Sequence, residues 1–164
     1  MHTSEFWKRT LNLDPHPEGG YYKETFRSTD PCYTNQDRYS GSRRMATSIY
    51  FLLESDIFSA FHKLKSDEIW YFHAGSPTRV HCISPQGSHF ELHIGHDPEK
   101  NQFPQIVIPK DHWFAAEVME KDSYCLVGCQ VSPGFEFSDF ELAKRSDLLA
   151  LFPEHHLLIH RFTR

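Results

Sequence analysis

The chain has 164 residues, 15% of them aromatic and 24% charged, with a formal charge of −5. That length suffices for one domain burying about two-thirds of its unfolded surface, and the aromatic content argues against wholesale disorder. The negative balance excludes a general binder of nucleic acid or anionic membrane, which needs a basic footprint, and no apolar run approaches the ~18–20 residues of a membrane-spanning helix.

The first residues, MHTSEFWKRTLNLDPHPEGG, carry no apolar core followed by small residues, so no secretory signal is expected and cytoplasmic residence is. Within them, TSEFWKRTLN (3–12) predicts a short helix with Phe6, Trp7 and Leu11 on one side and Glu5, Lys8 and Arg9 largely on the other. DPHPEGG (14–20) is punctuation: its prolines and glycines cannot continue a helix. PEGG lacks the frame of a phosphate loop, so Gly19 and Gly20 read as turn residues leading into a first strand, YYKETFRS. The polar stretch 29–43, with Pro31, Asn35 and Gly41, reads as a loop long enough for a lid or a disordered segment.

From Met45 the pattern is β. ATSIYFLL, FSAFHKL, EIWYFHAG, RVHCISP, HFELHIG, PQIVIPK, WFAAEV and YCLVGCQVSPG are short, rich in β-branched and aromatic residues, and separated by turn residues, as in a sandwich or barrel. Ser138 and Glu141 form a capping box that predicts a helix through about Leu151, stopped by Pro153, and HHLLIHRF reads as a final strand. Cys32, Cys82, Cys125 and Cys129 form no CxxC pair. Cys125 and Cys129 on one strand stand about 13 Å apart, too far to bridge, so the cysteines read as reduced, buried, small apolar residues.

FHKLKSDEIWYFHAG, residues 61–75, carries the chemistry. His62 and Leu64 share one strand face, Lys65-Ser66-Asp67 turns the chain, and Glu68, Trp70 and Phe72 share a face of the next strand. The segment resembles the first cupin motif, with His62, Glu68 and Gly75 in place and Leu64 at the second histidine position. FPQIVIPKDHWFAA resembles the second motif through Pro109, with Asp111 at a glycine position and Phe114 at the histidine position. Metal-binding cupins use three histidines and a glutamate; only His62 and Glu68 remain here. An open transition-metal site usually needs three or four protein ligands, so neither a metal nor another cofactor is expected.

PHPEGGYYKETFRS, TSIYFLL, PQIVIP, WFAA and GCQVSPGFEFSDFELA extend the resemblance to the cupin family DUF985, also called cupin 5. It implies an all-β, double-stranded β-helix (jelly-roll) barrel with a short N-terminal helix and a C-terminal helix, commonly a homodimer. The fold is similar to that of sugar-nucleotide epimerases and germin-like cupins. No substrate is implied.

On this reading His62 and Glu68 face each other in the barrel mouth, where a carboxylate can orient an imidazole as a general base. The alternative is a relic pair kept as a buried hydrogen bond. Epimerase-like cupins work without metal, pairing a histidine base with a tyrosine acid, a role open to Tyr22. Tyr22, Glu24, Thr47 and Tyr50 lie on early strands and either project into the pocket or pack outward. Arg27 either clamps an anion or makes a surface ion pair. Gln105 either reads a ligand hydroxyl or caps a strand end; Trp70, Phe72, Phe114 and Trp113 are either core or stacking platform. His89, Glu91 and His93 alternate on one strand, but i to i+4 spans about 13 Å, so at most a pair could share an ion and a solvated outer face explains them better. His155, His156 and His160 read the same way. Two functions remain open: a metal-independent isomerase or epimerase-like enzyme on a sugar-type or small polar substrate, and a non-catalytic binder of a small ligand. A metal-dependent oxygenase or decarboxylase stands third, set back by Leu64 and Phe114.

Overall fold

Alternation of apolar and polar residues between turns produces two large antiparallel sheets, with a small two-stranded one beside them, in the computed structural model, which describes residues 2–33 and 37–164. Helix α1 (Ser4–Thr10) precedes strands β1 (Tyr21–Arg27), β2 (Thr47–Glu54), β3 (Ser59–Leu64), β4 (Asp67–Gly75), β5 (Thr78–Ile83) and β6 (His89–Ile94). Then come β7 (Gln105–Ile108), β8 (Trp113–Val118), β9 (Tyr124–Ser132), β10 (Phe140–Leu142) and helices α2 (Arg145–Leu151) and α3 (His156–Phe162). The larger sheet runs β1-β2-β9-β4-β7, with the short strand Asp14–Pro15 outside β1; the smaller runs β10-β3-β8-β5-β6. Phe51, Leu53, Val80, Cys82, Phe114 and Val127 fill the space between the sheets. The fold is the expected jelly-roll barrel.

Elements outside the barrel cover its outer faces. Thr3 caps α1, its Oγ1 accepting from Phe6 N at 3.2 Å. Trp7 and Leu11 then pack on Leu52 and Leu126, the outward residues of β2 and β9. Leu148, Ile159 and Phe162 of α2 and α3 cover Phe61, Ile83 and Trp113 on the outside of the smaller sheet. No helix of the described residues is long and apolar enough to cross a membrane.

Two predicted elements differ. The Ser138–Glu141 box opens no helix: Phe137–Asp139 makes a 3-10 turn, Phe140–Leu142 pairs with β3, and α2 begins at Arg145. Tertiary partners outweigh the local cap, because Asp139 receives two hydrogen bonds from buried Arg43, at 2.6 and 2.7 Å, and Phe140 packs against the barrel core. HHLLIHRF is α3 rather than a strand, since Leu158, Ile159 and Phe162 fall on one helical face against the sheet. Within the predicted loop 29–43, Pro31–Cys32 pairs with Arg43–Arg44, and the tip 34–36 of the expected lid lies outside the described residues. Cys82, Cys125 and Cys129 are buried free thiols.

The PEGG turn positions the site. Gly19 and Gly20 adopt φ +113° and +77°, and a Cβ on Gly19 would stand 2.3 Å from the Phe58 carbonyl oxygen. With both residues glycine, the chain folds tightly over β3, where Glu18 O accepts from Ala60 N at 2.8 Å and the Glu18 side chain enters the barrel.

Candidate functional site

A cavity of about 300 Å3 opens between the sheets. Strand β1 supplies Tyr22 and Glu24 to its wall, and β2 supplies Thr47, Ile49 and Phe51. Strict alternation would turn Arg27 away from Glu24. A bulge between Glu24 and Phe26 absorbs one residue, so Arg27 returns to the cavity side. There it grips both Glu24 oxygens, at 3.0 and 2.8 Å, and donates to Glu136 at 2.6 Å. This exposed ion-pair group forms the rim, with Phe137 beside it.

The interior is a buried acid–base cluster. His62 Nδ1 lies 2.7 Å from the Ala60 carbonyl, which only accepts, so Nδ1 carries hydrogen. Burial lowers the His62 pKa to about 3, which keeps the ring neutral and leaves a lone pair on Nε2. That nitrogen is 3.1 Å from Glu18 Oε2. Burial pushes Glu18 well above the usual carboxylate range, neighbouring Glu68 adds to the rise, and the hydrogen bond from Ser59 and the Arg164 charge offset part of it. Glu18 is therefore a carboxylic acid donating its proton to His62, while Ser59 Oγ donates to its other oxygen at 2.8 Å. His16, lowered to about 4 by burial, places Nδ1 3.3 Å from the same Glu18 oxygen.

This corrects the expected pairing of His62 with Glu68. Both nitrogens of His62 are engaged, by Ala60 and Glu18, and Glu68 stands separately in the wall. Burial raises Glu68 to about 7, with the Trp70 indole and the Cys129 thiol acting in the opposite direction. Trp70 lies close enough to favour the charged carboxylate, yet its buried Nε1 makes no hydrogen bond of acceptable geometry among the described residues. An unpaired buried donor costs free energy, which a ligand acceptor would recover.

Of the remaining candidates, Tyr22, Glu24, Thr47 and Trp70 line the cavity, although the Thr47 hydroxyl is committed to Phe135 N at 2.9 Å. Tyr50, Phe72, Gln105 and Phe114 do not. Tyr50 alternates to the outside of β2 and meets His73 edge-on at 5.7 Å. Phe72 lies beyond Trp70 on β4 with its ring 4.7 Å from His96. Gln105 points outward from the edge strand β7, whose Ile106 and Ile108 turn inward. Phe114 pairs with His62 across β8 and β3 and packs its ring 3.9 Å from the imidazole. Among the residues that sequence reading missed are His16, Glu18, Phe51, Phe135, Glu136 and Phe140. A glutamate held between proline and a glycine pair was the one available signal.

The donor set here does not fit the metal of other cupins. Leu64 and Phe114 are core residues, and His62 has no uncommitted nitrogen. The nearby donors of His16, Glu18, His62 and Glu68 do not bring three ligand atoms within 4.8 Å of one another; among the described residues only His81, His89 and Glu91 do.

Comparison with known proteins agrees with this architecture. The chain is 31% identical over 148 residues to the uncharacterized protein YML079W of Saccharomyces cerevisiae, covering 84% of this chain and 73% of that one. It is similar to the crystal structure of protein SO0799 from Shewanella oneidensis, with a TM-score of 0.91, 36% identity, and coverage of 100% of this chain and 99% of the other. A variant of Bacillus subtilis oxalate decarboxylase shares the fold alone, at 13% identity and a TM-score of 0.56, covering 85% of this chain and 34% of that one. The cupin superfamily model DUF985 matches residues 5–143, and the chain belongs to that family.

Proposed function

We propose that the barrel binds a small, largely neutral polar molecule and moves a proton on it without a metal, as an isomerase does. The observation that carries this reading is the placement of buried Glu68, beside an unpartnered Trp70 indole, in the same cavity as the Glu18–His62 pair. A carboxyl with a pKa of about 7 is present in both forms near neutrality, which suits a group that takes a proton and gives it back. Glu68 removes a proton from a carbon next to a carbonyl, and the electron pair delocalises onto the carbonyl oxygen. Tyr22 stabilises that oxygen by donating its hydroxyl hydrogen. The proton returns from Glu68 to the substrate, so the reaction is redox-neutral. Aromatic walls at Phe51, Trp70 and Phe140 suit the apolar face of a ring-shaped ligand.

The test is proton exchange. Sugars, keto acids and hydroxy acids are screened for a rise in Tm, and each hit is incubated with protein in deuterated water. Deuterium incorporation at carbon, lost at least 100-fold in Glu68→Gln while binding persists, is the expected result. If the wild type binds a hit but exchanges no proton, the non-catalytic reading replaces it. That reading is favoured by one observation: both His62 nitrogens are already committed.

A further inference from the structure

A second cluster lies on the opposite surface of the smaller sheet. Strands β5 and β6 pair His81 directly with Glu91 and Ile83 with His89, making His89 the diagonal neighbour of His81. Val80 and Cys82 enter the barrel, while Ile83 belongs to the layer under α2 and α3. His81 therefore points outward, and its ring lies 4.9 Å from that of Phe162. The i to i+4 spacing of His89 and His93 remains too wide for one ion. The third donor comes instead from the adjacent strand.

We infer that His81, His89 and Glu91 form a binding site for a divalent transition-metal cation, zinc foremost. His81 Nδ1 is 3.4 Å from His89 Nε2 and 3.4 Å from Glu91 Oε1, and all three donor atoms lie within 4.8 Å of one another. Bonds of about 2.1 Å in tetrahedral geometry separate ligand atoms by about 3.4 Å, so two of the three edges already have the required length. Two imidazoles and a carboxylate are the ligand chemistry of zinc and its borderline neighbours, not of calcium or magnesium.

The surroundings orient the ligands as metal sites require. The far nitrogen of His81, Nε2, lies 3.4 Å from Glu117 Oε1, an acceptor that keeps hydrogen there and leaves the Nδ1 lone pair facing the cluster. Glu117 is held by Arg161 and stands 3.9 Å from Arg79. The outer oxygen of Glu91 is engaged by Arg79 at 3.4 Å and His93 at 3.2 Å, leaving Oε1 for the ion. His81 is buried, whereas His89 and Glu91 are exposed, so the ion enters from solvent. His155 is not a ligand, because its Nε2 bonds the Gly87 carbonyl at 2.7 Å. A water or an outside group therefore completes the shell.

The untagged full chain, stripped with a chelator, is titrated with zinc chloride by calorimetry and with cobalt chloride by visible absorption. One zinc per chain with micromolar or tighter Kd, and the strong visible bands of tetrahedral cobalt, are the expected results. At about 100 times Kd, zinc raises Tm by roughly 5–10 °C. His89→Ala and Glu91→Gln change exposed side chains and keep the fold, and each weakens binding at least tenfold and removes the cobalt bands. His156→Ala and His160→Ala leave both unchanged. Millimolar binding by the wild type, or equal affinity in His89→Ala, Glu91→Gln and wild type, overturns the site.

Discussion

Glu18 shows how a single side chain can be acidic in sequence and neutral in the fold. Its proton satisfies His62 Nε2 at 3.1 Å, and its other oxygen accepts from Ser59 at 2.8 Å. Glutamine offers the same donor and acceptor at nearly the same positions. Glu18→Gln therefore leaves stability within about 1 kcal/mol of wild type, while Glu18→Ala strands two buried polar groups and costs about 1–3 kcal/mol or more. Urea denaturation of the two variants checks this; an equal loss in both contradicts a protonated Glu18. The sequence marked His62 and Glu68 correctly as barrel-facing, because strand parity determines direction. It concealed Glu18, because the contact depends on how a glycine turn folds across a strand forty residues away, which no local pattern encodes.

At the scale of elements, long-range partners decide what local signals leave open. Arg43 and Asp139 form a two-bond ion pair with 3% and 5% side-chain exposure, fastening the short hairpin to the lead-in of β10. Removing Arg43 leaves the buried Asp139 carboxylate with the exposed Lys65, at 3.7 Å, as its remaining counterion and without its two strong hydrogen bonds. Arg43→Ala is thus expected to cost about 3–5 kcal/mol in chemical denaturation, and a loss below about 1 kcal/mol contradicts that role. The same pair explains why the Ser138–Glu141 box misled: its Asp139 is held by a residue far away in sequence. In α3 the period of Leu158, Ile159 and Phe162 is present in the sequence, but a run this short contains too few helical turns to oppose the strand reading, and its apolar face emerges only against the sheet. The bulge in β1 was invisible, and with it the return of Arg27 to the cavity.

For the whole molecule, the buried cluster links folding to pH. Glu68 has its pKa raised from 4.5 to about 7, so the folded state binds the extra proton and stability from this group falls as pH rises across that window. His62 acts with the opposite sign: lowered from 6.5 to about 3, it withdraws stability as pH falls through that range. His16, lowered to about 4 by burial, acts in the same direction as His62, and Glu18, raised well above the usual carboxylate range, acts in the same direction as Glu68. The opposed trends partly cancel between about 4.5 and 6.5, and above that the two carboxyl groups continue to withdraw stability as pH rises. The barrel, its order of strands and its motif positions were legible because periodicity and turn residues repeat along the chain. The cavity's neutral interior was not, because it arises from burial that only the assembled sheets provide.

The most direct measurement is the ionisation of Glu68 itself, followed by NMR of the chain carrying 13C-labelled glutamate side chains and assigned with Glu68→Gln. The expected result is one carboxyl titrating near 7, absent from the variant, with Glu18 titrating well above the usual carboxylate range. If every glutamate titrates below about 5, the cavity is a charged one and the proton-transfer reading fails.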